Sequence, residues 1–529
     1  RRDRYTTRNF INSEGSASVN TSQFRSLLSE NTISYNKTFG GIHSVSALAG
    51  FTFQDFTSTS LGASGQGFLS DVFETHDLSA AATQGVAGTG YSNSSILSYL
   101  GRLNYGLNEK YLFTVSFRAD GSSRYSEGNK WGYFPSGAFA WRLYEEDFFT
   151  ADNIFSDLKL RTSWGLTGSQ AIGAYSTLNL LSSGLVVLDD ALYNYFAPSS
   201  RLPGELKWET TEQIDFGVDF GFLNNRIQVT ADYYIKNTRD LLNTVILPSS
   251  TGYVSTIRNV GEVQNKGLEL GVDAKILTGE FKWNMNANIS FNRNEVIKLQ
   301  DGEDIYGGRV SVLAVNDDAT ILREGRPIGQ FYGYVEDGYD SEGQIVLKDL
   351  NEDGSITAED KTYIGDPNPD FIYGINSNMS YKNFELTLFF QGTYGNDIYN
   401  VSSIPTTIDY GQGLNMPREV YLDYWTPENP DAKYPKISRS TSAYNSDRWI
   451  EDGSFLRLRN IELAYNFSVE RFEWLENAQL YFSGQNLLTL TKYSWWDPEV
   501  NSRGADTRGF DHFTYPIARS FTVGFRLGF

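Results

Sequence analysis

The sequence predicts an all-β protein, an antiparallel transmembrane β-barrel. Three observations predict it. Apolar and polar residues alternate with period two along many segments. Those segments run about 10 to 14 residues, longer than ordinary strands and suited to a tilted bilayer crossing. Very short connections alternate with long ones rich in Gly, Ser, Asp, Asn and Tyr, as on the two sides of an outer-membrane barrel.

Each strand follows from its own alternation. Side chains on a strand point to opposite faces in turn, so a period of two gives one apolar and one polar face. Leu97, Tyr99, Gly101, Leu103, Tyr105 and Leu107 interleave with Ser98, Leu100, Arg102, Asn104 and Gly106. Tyr111, Phe113, Val115, Phe117 and Ala119 interleave with Leu112, Thr114, Ser116, Arg118 and Asp120. The same holds from Ile214 to Phe222, from Ile227 to Ile235, from Leu268 to Ile276 and from Trp283 to Phe291. Strands are expected at 24–36, 41–53, 95–107, 110–120, 132–143, 157–166, 209–222, 226–236, 265–276, 281–292, 371–382, 384–395, 455–467, 478–490 and 516–529. Short turns are expected at Asn36–Gly41, Asn108–Lys110, Leu223–Arg226, Leu277–Glu280 and Lys382–Asn383. Long loops are expected at 54–94, 167–208, 237–264, 292–370, 396–454 and 491–515. About fifteen strands is an odd number, whereas single-chain bacterial barrels have even ones. The expectation is therefore a chain that begins in an outer loop of a larger barrel.

Composition removes several alternatives. There is no Cys, so no disulfide scaffold, thiolate site or cysteine nucleophile. His43, His76 and His512 are too scattered to suggest a zinc site. A net charge of -20 argues against nucleic acid, which needs a basic stripe. An aromatic content of 15% argues against disorder. No G-x-S-x-G elbow, P-loop or H-E-x-x-H occurs, and no enzyme is expected. There is no long apolar run for a transmembrane helix, but a barrel hides its apolar surface in alternate residues. The last strand shows this: Phe521, Val523, Phe525, Leu527 and Phe529 alternate with Thr522, Gly524, Arg526 and Gly528. Such a strand closing on Phe525 and Phe529 resembles the sorting signal of outer-membrane barrels, read by the barrel-assembly machinery.

Several stretches resemble the SusC/RagA family of TonB-dependent outer-membrane transporters. They are Arg118-Ala-Asp-Gly-Ser-Ser-Arg124, Trp131-Gly-Tyr-Phe-Pro-Ser136, Glu205-Leu-Lys-Trp-Glu-Thr210 and Asn259-Val-Gly-Glu-Val-Gln-Asn-Lys-Gly-Leu-Glu269. Further along come Gly365-Asp-Pro-Asn-Pro-Asp-Phe371, Gln391-Gly-Thr-Tyr-Gly-Asn-Asp-Ile-Tyr399 and Asp452-Gly-Ser-Phe-Leu-Arg-Leu-Arg-Asn460. Gly484-Gln-Asn-Leu-Leu488 and Tyr493-Ser-Trp-Trp-Asp-Pro-Glu499 complete the series, in the order of that family. The resemblance implies a barrel of 22 strands with an internal plug, of which residues 1–529 would be the C-terminal part. No TonB box, plug or early strands are recognisable here. It also implies import of an oligosaccharide or peptide across the bacterial outer membrane. A SusD-like surface lipoprotein would be the partner, and TonB would act through an N-terminal region absent from this sequence. The alternative class is a non-transporting barrel that serves as adhesin or receptor.

Two features bear on chemistry. Asp349-Leu-Asn-Glu-Asp-Gly-Ser-Ile-Thr-Ala-Glu-Asp360 follows the spacing of a calcium loop. Asp349, Asn351, Asp353, Ser355, Thr357 and Asp360 would ligate a structural Ca²⁺; a metal-free acidic turn is the plain alternative. The second feature is aromatic. Tyr493, Trp495 and Trp496 share one outer loop, and Tyr421, Tyr424, Trp425 and Trp449 share the preceding one. Their flat faces suit stacking on sugar rings or gripping peptide side chains. Loop packing and membrane girdles are the competing uses of such residues.

Overall fold

The computed structural model describes residues 2–6, 15–70, 72, 74–149, 154–312, 315–408, 414–470, 474–500 and 507–529. All fifteen expected strands are present. The chain divides into two compact units, Arg1–Phe139 with Trp164–Glu212 and Arg239–Val260, and Ala140–Ser163 with Gln213–Thr238 and Gly261–Phe529.

In the first unit, Gly15–Phe39, His43–Phe68, Gly88–Leu107 and Tyr111–Ser122 pair antiparallel in chain order. A short strand not expected from the sequence, Arg2–Thr6, pairs with Ser16–Asn20. The first two long strands exceed expectation. They stay paired from Phe39 opposite His43 out to Gly15 opposite Phe68. Their outer halves are rich in Ser, Thr and Gly and carry no apolar stripe, so periodicity missed them. The turn between Leu107 and Tyr111 is tight because Asn108 and Glu109 both take positive φ, which matches the twist of the flanking strands.

In the second unit, Glu262–Thr278, Phe281–Lys298, Phe371–Tyr381, Phe384–Tyr394, Phe455–Phe467, Asn477–Thr491 and Ser520–Gly528 form an antiparallel meander. The final strand is shorter than the expected 516–529. Its register keeps like with like: Phe525 opposes Leu480 and Val523 opposes Phe482, whereas Arg526 opposes Gln479. A slip of one residue would exchange the two faces.

The apolar face is the exposed one. Phe521, Val523, Phe525, Leu527 and Phe529 are 65%, 69%, 69%, 51% and 75% exposed. In the first unit an aromatic row crosses the same kind of face: Phe51 meets Tyr99 at 5.5 Å, Tyr99 meets Trp131 at 6.0 Å and Phe117 meets Tyr133 at 6.2 Å. Water would penalise such a surface and lipid does not. The polar face is knitted by charge instead. Arg526 reaches Glu462 at 2.9 Å and Gln479 at 2.6 Å, with its guanidinium over the Tyr481 ring. Arg161 bridges Asp219 and Asp232 in the same way.

The true hydrophobic cores lie in the long connections. Val310, Phe331, Ile345, Tyr399, Ile404, Trp449 and Phe510 come from three of them and are buried together. The connection after Lys298, expected to be an open loop, carries its own four-stranded sheet: Ile305–Val312, Val315–Leu322, Gln330–Gly333 and Thr362–Gly365. A smaller core of Tyr125, Phe134, Ile172, Leu206 and Trp208 serves the first unit.

Candidate functional site

The long connections of the second unit enclose a cavity of about 840 Å³. Trp449, Trp495 and Trp496, expected from two separate loops, meet in its wall. Trp495 and Trp496 pack edge to face with centroids 6.1 Å apart, and Trp496 is 69% exposed. They form an angled aromatic platform.

The expected aromatics differ in how far they are covered. Trp449 is 3% exposed, and its indole N–H donates to the Tyr444 carbonyl at 2.8 Å. Trp425 is buried with its ring over Gly343, where a Cβ would collide with it. Tyr493 is buried, and its hydroxyl donates to Asp511 at 2.7 Å. Burial and then that carboxylate hold the Tyr493 phenol far above its ordinary range. Trp425 and Tyr493 do not line the cavity, and Trp449 lines it while remaining almost wholly buried. Tyr421 is exposed on the short helix Arg418–Leu422, and Tyr424 is half-buried; neither lines the cavity.

The polar lining was not legible in advance. Arg448 pairs with Glu336 at 2.6 Å and donates to the Tyr339 hydroxyl and the Lys433 carbonyl. Burial works against the Arg448 charge, but the Glu336 carboxylate outweighs it and raises the pKa. Glu451 accepts from Asn400 and from both the N–H and hydroxyl of Ser494. Glu419 accepts the Tyr434 hydroxyl at 2.9 Å. Lys433 and Lys492 complete the charged rim. These residues lie up to 156 positions apart, Glu336 to Lys492, and no local spacing announces them.

Arg457 fixes the platform to the wall. It is 1% exposed on the Phe455–Phe467 strand and reaches Asp497 at 2.6 Å and Glu499 at 2.9 Å. Asp497 directly follows the two tryptophans, and Glu499 stands two residues further on. The signal was present in Arg457 and Arg459 set among apolar residues, two charges on one strand that demand partners.

The acidic loop folds as three successive turns. Asp349 accepts the Gly354 N–H at 2.7 Å, Asn351 that of Asp353 at 3.1 Å and Asp353 that of Ser355 at 2.8 Å. Gly354 takes φ +85°, as the sharp turn requires. Thr357 caps the turn Ala358–Asp360. Asp360 is buried and accepts the N–H groups of Thr357, Leu350 and Asn351, which lower its pKa against the cost of burial. Asp349 Oδ1 is buried with no hydrogen-bond partner. Among the described residues no group of three or more His, Cys, Asp or Glu side chains is gathered to hold a metal.

A model of the β-barrel of TonB-dependent receptor-like proteins matches residues 1–487. The chain belongs to the TonB-dependent receptor β-barrel family. TonB-dependent receptor P3 of Formosa agariphila is 35% identical over 528 residues, covering 95% of this chain and 52% of that protein. TonB-dependent receptor SusC of Bacteroides thetaiotaomicron is 34% identical over 489 residues, covering 88% of this chain and 46% of that protein. The solved RagAB peptide transporter superposes with a TM-score of 0.85 at 26% identity, over 99% of this chain and 58% of that one. The chain therefore falls with the SusC/RagA branch, in the bacterial outer membrane, and spans about half the length of the curated relatives it matches. In such a barrel the exposed apolar face meets lipid and the charged face lines the lumen. Phe525 and Phe529 lie on the lipid face.

Proposed function

We propose that the protein imports a large nutrient, an oligosaccharide or a peptide, across the outer membrane with energy from TonB. The outer cavity carries this reading. It combines an exposed tryptophan corner with charged groups already held in place, all on loops above a barrel wall. Those features suit capture of a ligand too large for diffusion through a porin. A SusD-like surface lipoprotein would close over the loops. The barrel-assembly machinery would read the final strand at Phe525 and Phe529. Deleting the gene and following growth on defined glycans and peptides tests the reading. Loss of growth on one class supports import; unchanged uptake with lost surface binding would instead identify an adhesin or receptor.

A structural calcium ion at Asp349, Asn351, Asp353, Ser355, Thr357 and Asp360 is a second proposal. The loop spacing and the orphaned Asp349 Oδ1 support it. Elemental analysis of the purified protein is the check, with Asp349→Ala expected to lose the metal. Absence of calcium from the wild type would end it.

A further inference from the structure

A second cavity, of about 620 Å³, opens on the lipid face of the barrel, at its outer rim. The register fixes that face. Phe525 opposes Leu480, Leu480 opposes Tyr465, Tyr465 opposes Phe384 and Phe384 opposes Tyr381. No bulge interrupts the pairing of Phe371–Tyr381 with Phe384–Tyr394. Alternation therefore puts Phe371, Tyr373 and Tyr394 on the face of Phe525. Their rings agree: Phe371 stacks on Tyr394 at 5.1 Å and tilts against Tyr373 at 5.9 Å. Leu490, Leu456, Gly392 and Tyr373 form one row across four strands of that face. Tyr373, Tyr394 and Leu490 line the cavity.

The strand also gives the depth. From Phe384 to Tyr394, about 3.4 Å per residue along a strand tilted by about 40° makes a climb of about 26 Å. That is the height of the apolar band of such a barrel, about 25 Å. Phe384 and Tyr465, 4.9 Å apart, thus stand in the inner aromatic girdle, and Phe371, Tyr373 and Tyr394 in the outer one. The polar rim of the cavity lies just beyond them, at headgroup level. It is already built. Ser454 accepts the Gly395 N–H at 3.0 Å, and its carbonyl accepts the Thr491 hydroxyl at 2.9 Å. Arg293 holds Asp370 at 2.6 Å, the Asp366 N–H holds Asp397 at 2.8 Å, and the Ser454 N–H holds Asp452 at 2.9 Å. Among the described residues Asp370 and Asp397 each keep a second oxygen outside any hydrogen bond, and Lys492 has no ion-pair partner.

We infer that this cavity seats the phosphorylated sugar headgroup of an outer-leaflet glycolipid. Lys492 meets the phosphate, and a charge-assisted bond of that kind is a strong one. The open oxygens of Asp370 and Asp397 accept sugar hydroxyls, as ionised carboxylates do. Tyr394 is 54% exposed and offers its ring to the sugar. The acyl chains run down over Leu490 and Tyr373 onto the apolar face, where lipid already sits. A phospholipid has a smaller headgroup and leaves much of the 620 Å³ unfilled. The inference needs only the barrel's place in the outer membrane and is independent of what the protein imports.

The test uses the full-length protein, purified in detergent and stripped of lipid. Monophosphoryl lipid A, dioleoylphosphatidylethanolamine or dioleoylphosphatidylglycerol is added, and native mass spectrometry counts the lipid retained. Wild type should retain lipid A in preference to both phospholipids. Tyr394→Ala and Lys492→Ala should each lower that retention at least about fivefold, with unchanged heat-modifiable mobility of the barrel. Lys492 also lines the outer cavity, whereas Tyr394 does not, so Tyr394→Ala is the decisive variant. Tyr381→Ala, on the same face at the inner girdle, should leave retention of lipid A unchanged. Wild type that holds lipid A no better than the phospholipids overturns the inference. So does full retention by Tyr394→Ala, or an equal loss in Tyr381→Ala, which would mark the bound lipid as a general coat of the barrel.

Discussion

The final strand and the loop core use the same kind of residue in opposite ways. On Ser520–Gly528 the aromatic rings point outward and stay exposed. Among the long connections Phe331, Tyr399 and Phe510 are buried against one another, with Tyr399 and Phe510 stacked at 5.2 Å. The difference is the solvent. A strand in lipid gains nothing by hiding apolar atoms, so its stability rests on the hydrogen-bond ladder and on polar networks such as Arg526–Glu462. A loop in water must bury its aromatics to fold at all.

The sharpest way to break this contrast is to place a charge on each face of the last strand. Val523→Arg should abolish outer-membrane assembly, because an arginine deep on the lipid face costs about 2–4 kcal/mol. Thr522→Arg, on the polar face, should assemble normally. Heat-modifiability of the barrel on gels reads both.

Next in size is Trp449→Ala. Removing a tryptophan from the loop core should destabilise it by about 3–5 kcal/mol while the strands stay protected. Hydrogen exchange across residues 395–454 checks this. Trp496→Ala should instead leave exchange unchanged and weaken ligand retention about tenfold or more, as truncation of an exposed anchor does. If both variants behave alike, the distinction between packing and platform fails.

The smallest effect concerns pH. The Arg323 guanidinium grips Asp304 with contacts of 2.8 and 2.6 Å, and holds its carboxyl below the ordinary 3.8. A depressed folded pKa contributes stability that is present above the unfolded value and lost as pH falls through the folded one. The pair is partly exposed, so the contribution is about 1 kcal/mol or less. Asp304→Asn should flatten the acid limb of loop stability below about pH 4, measured by exchange at graded pH.

Much of the wall was legible in the sequence. Period-two alternation located each of the fifteen strands, because one face of every strand must suit lipid and the other water. It also exposed the short turns at Asn108 and Lys382, where both residues take positive φ, a local property. Local pattern failed where Ser, Thr and Gly leave no apolar stripe, as in the outer halves of Gly15–Phe39 and His43–Phe68. Tertiary structure decided the site. Whether a loop tryptophan is core, like Trp449, or platform, like Trp496, depends on which distant segments cover it. The pairing of Glu336 with Arg448 and the latch of Arg457 on Asp497 both join residues far apart in the chain. Alternation is set by neighbours two residues away, whereas burial and charge pairing are set by whatever the fold brings near.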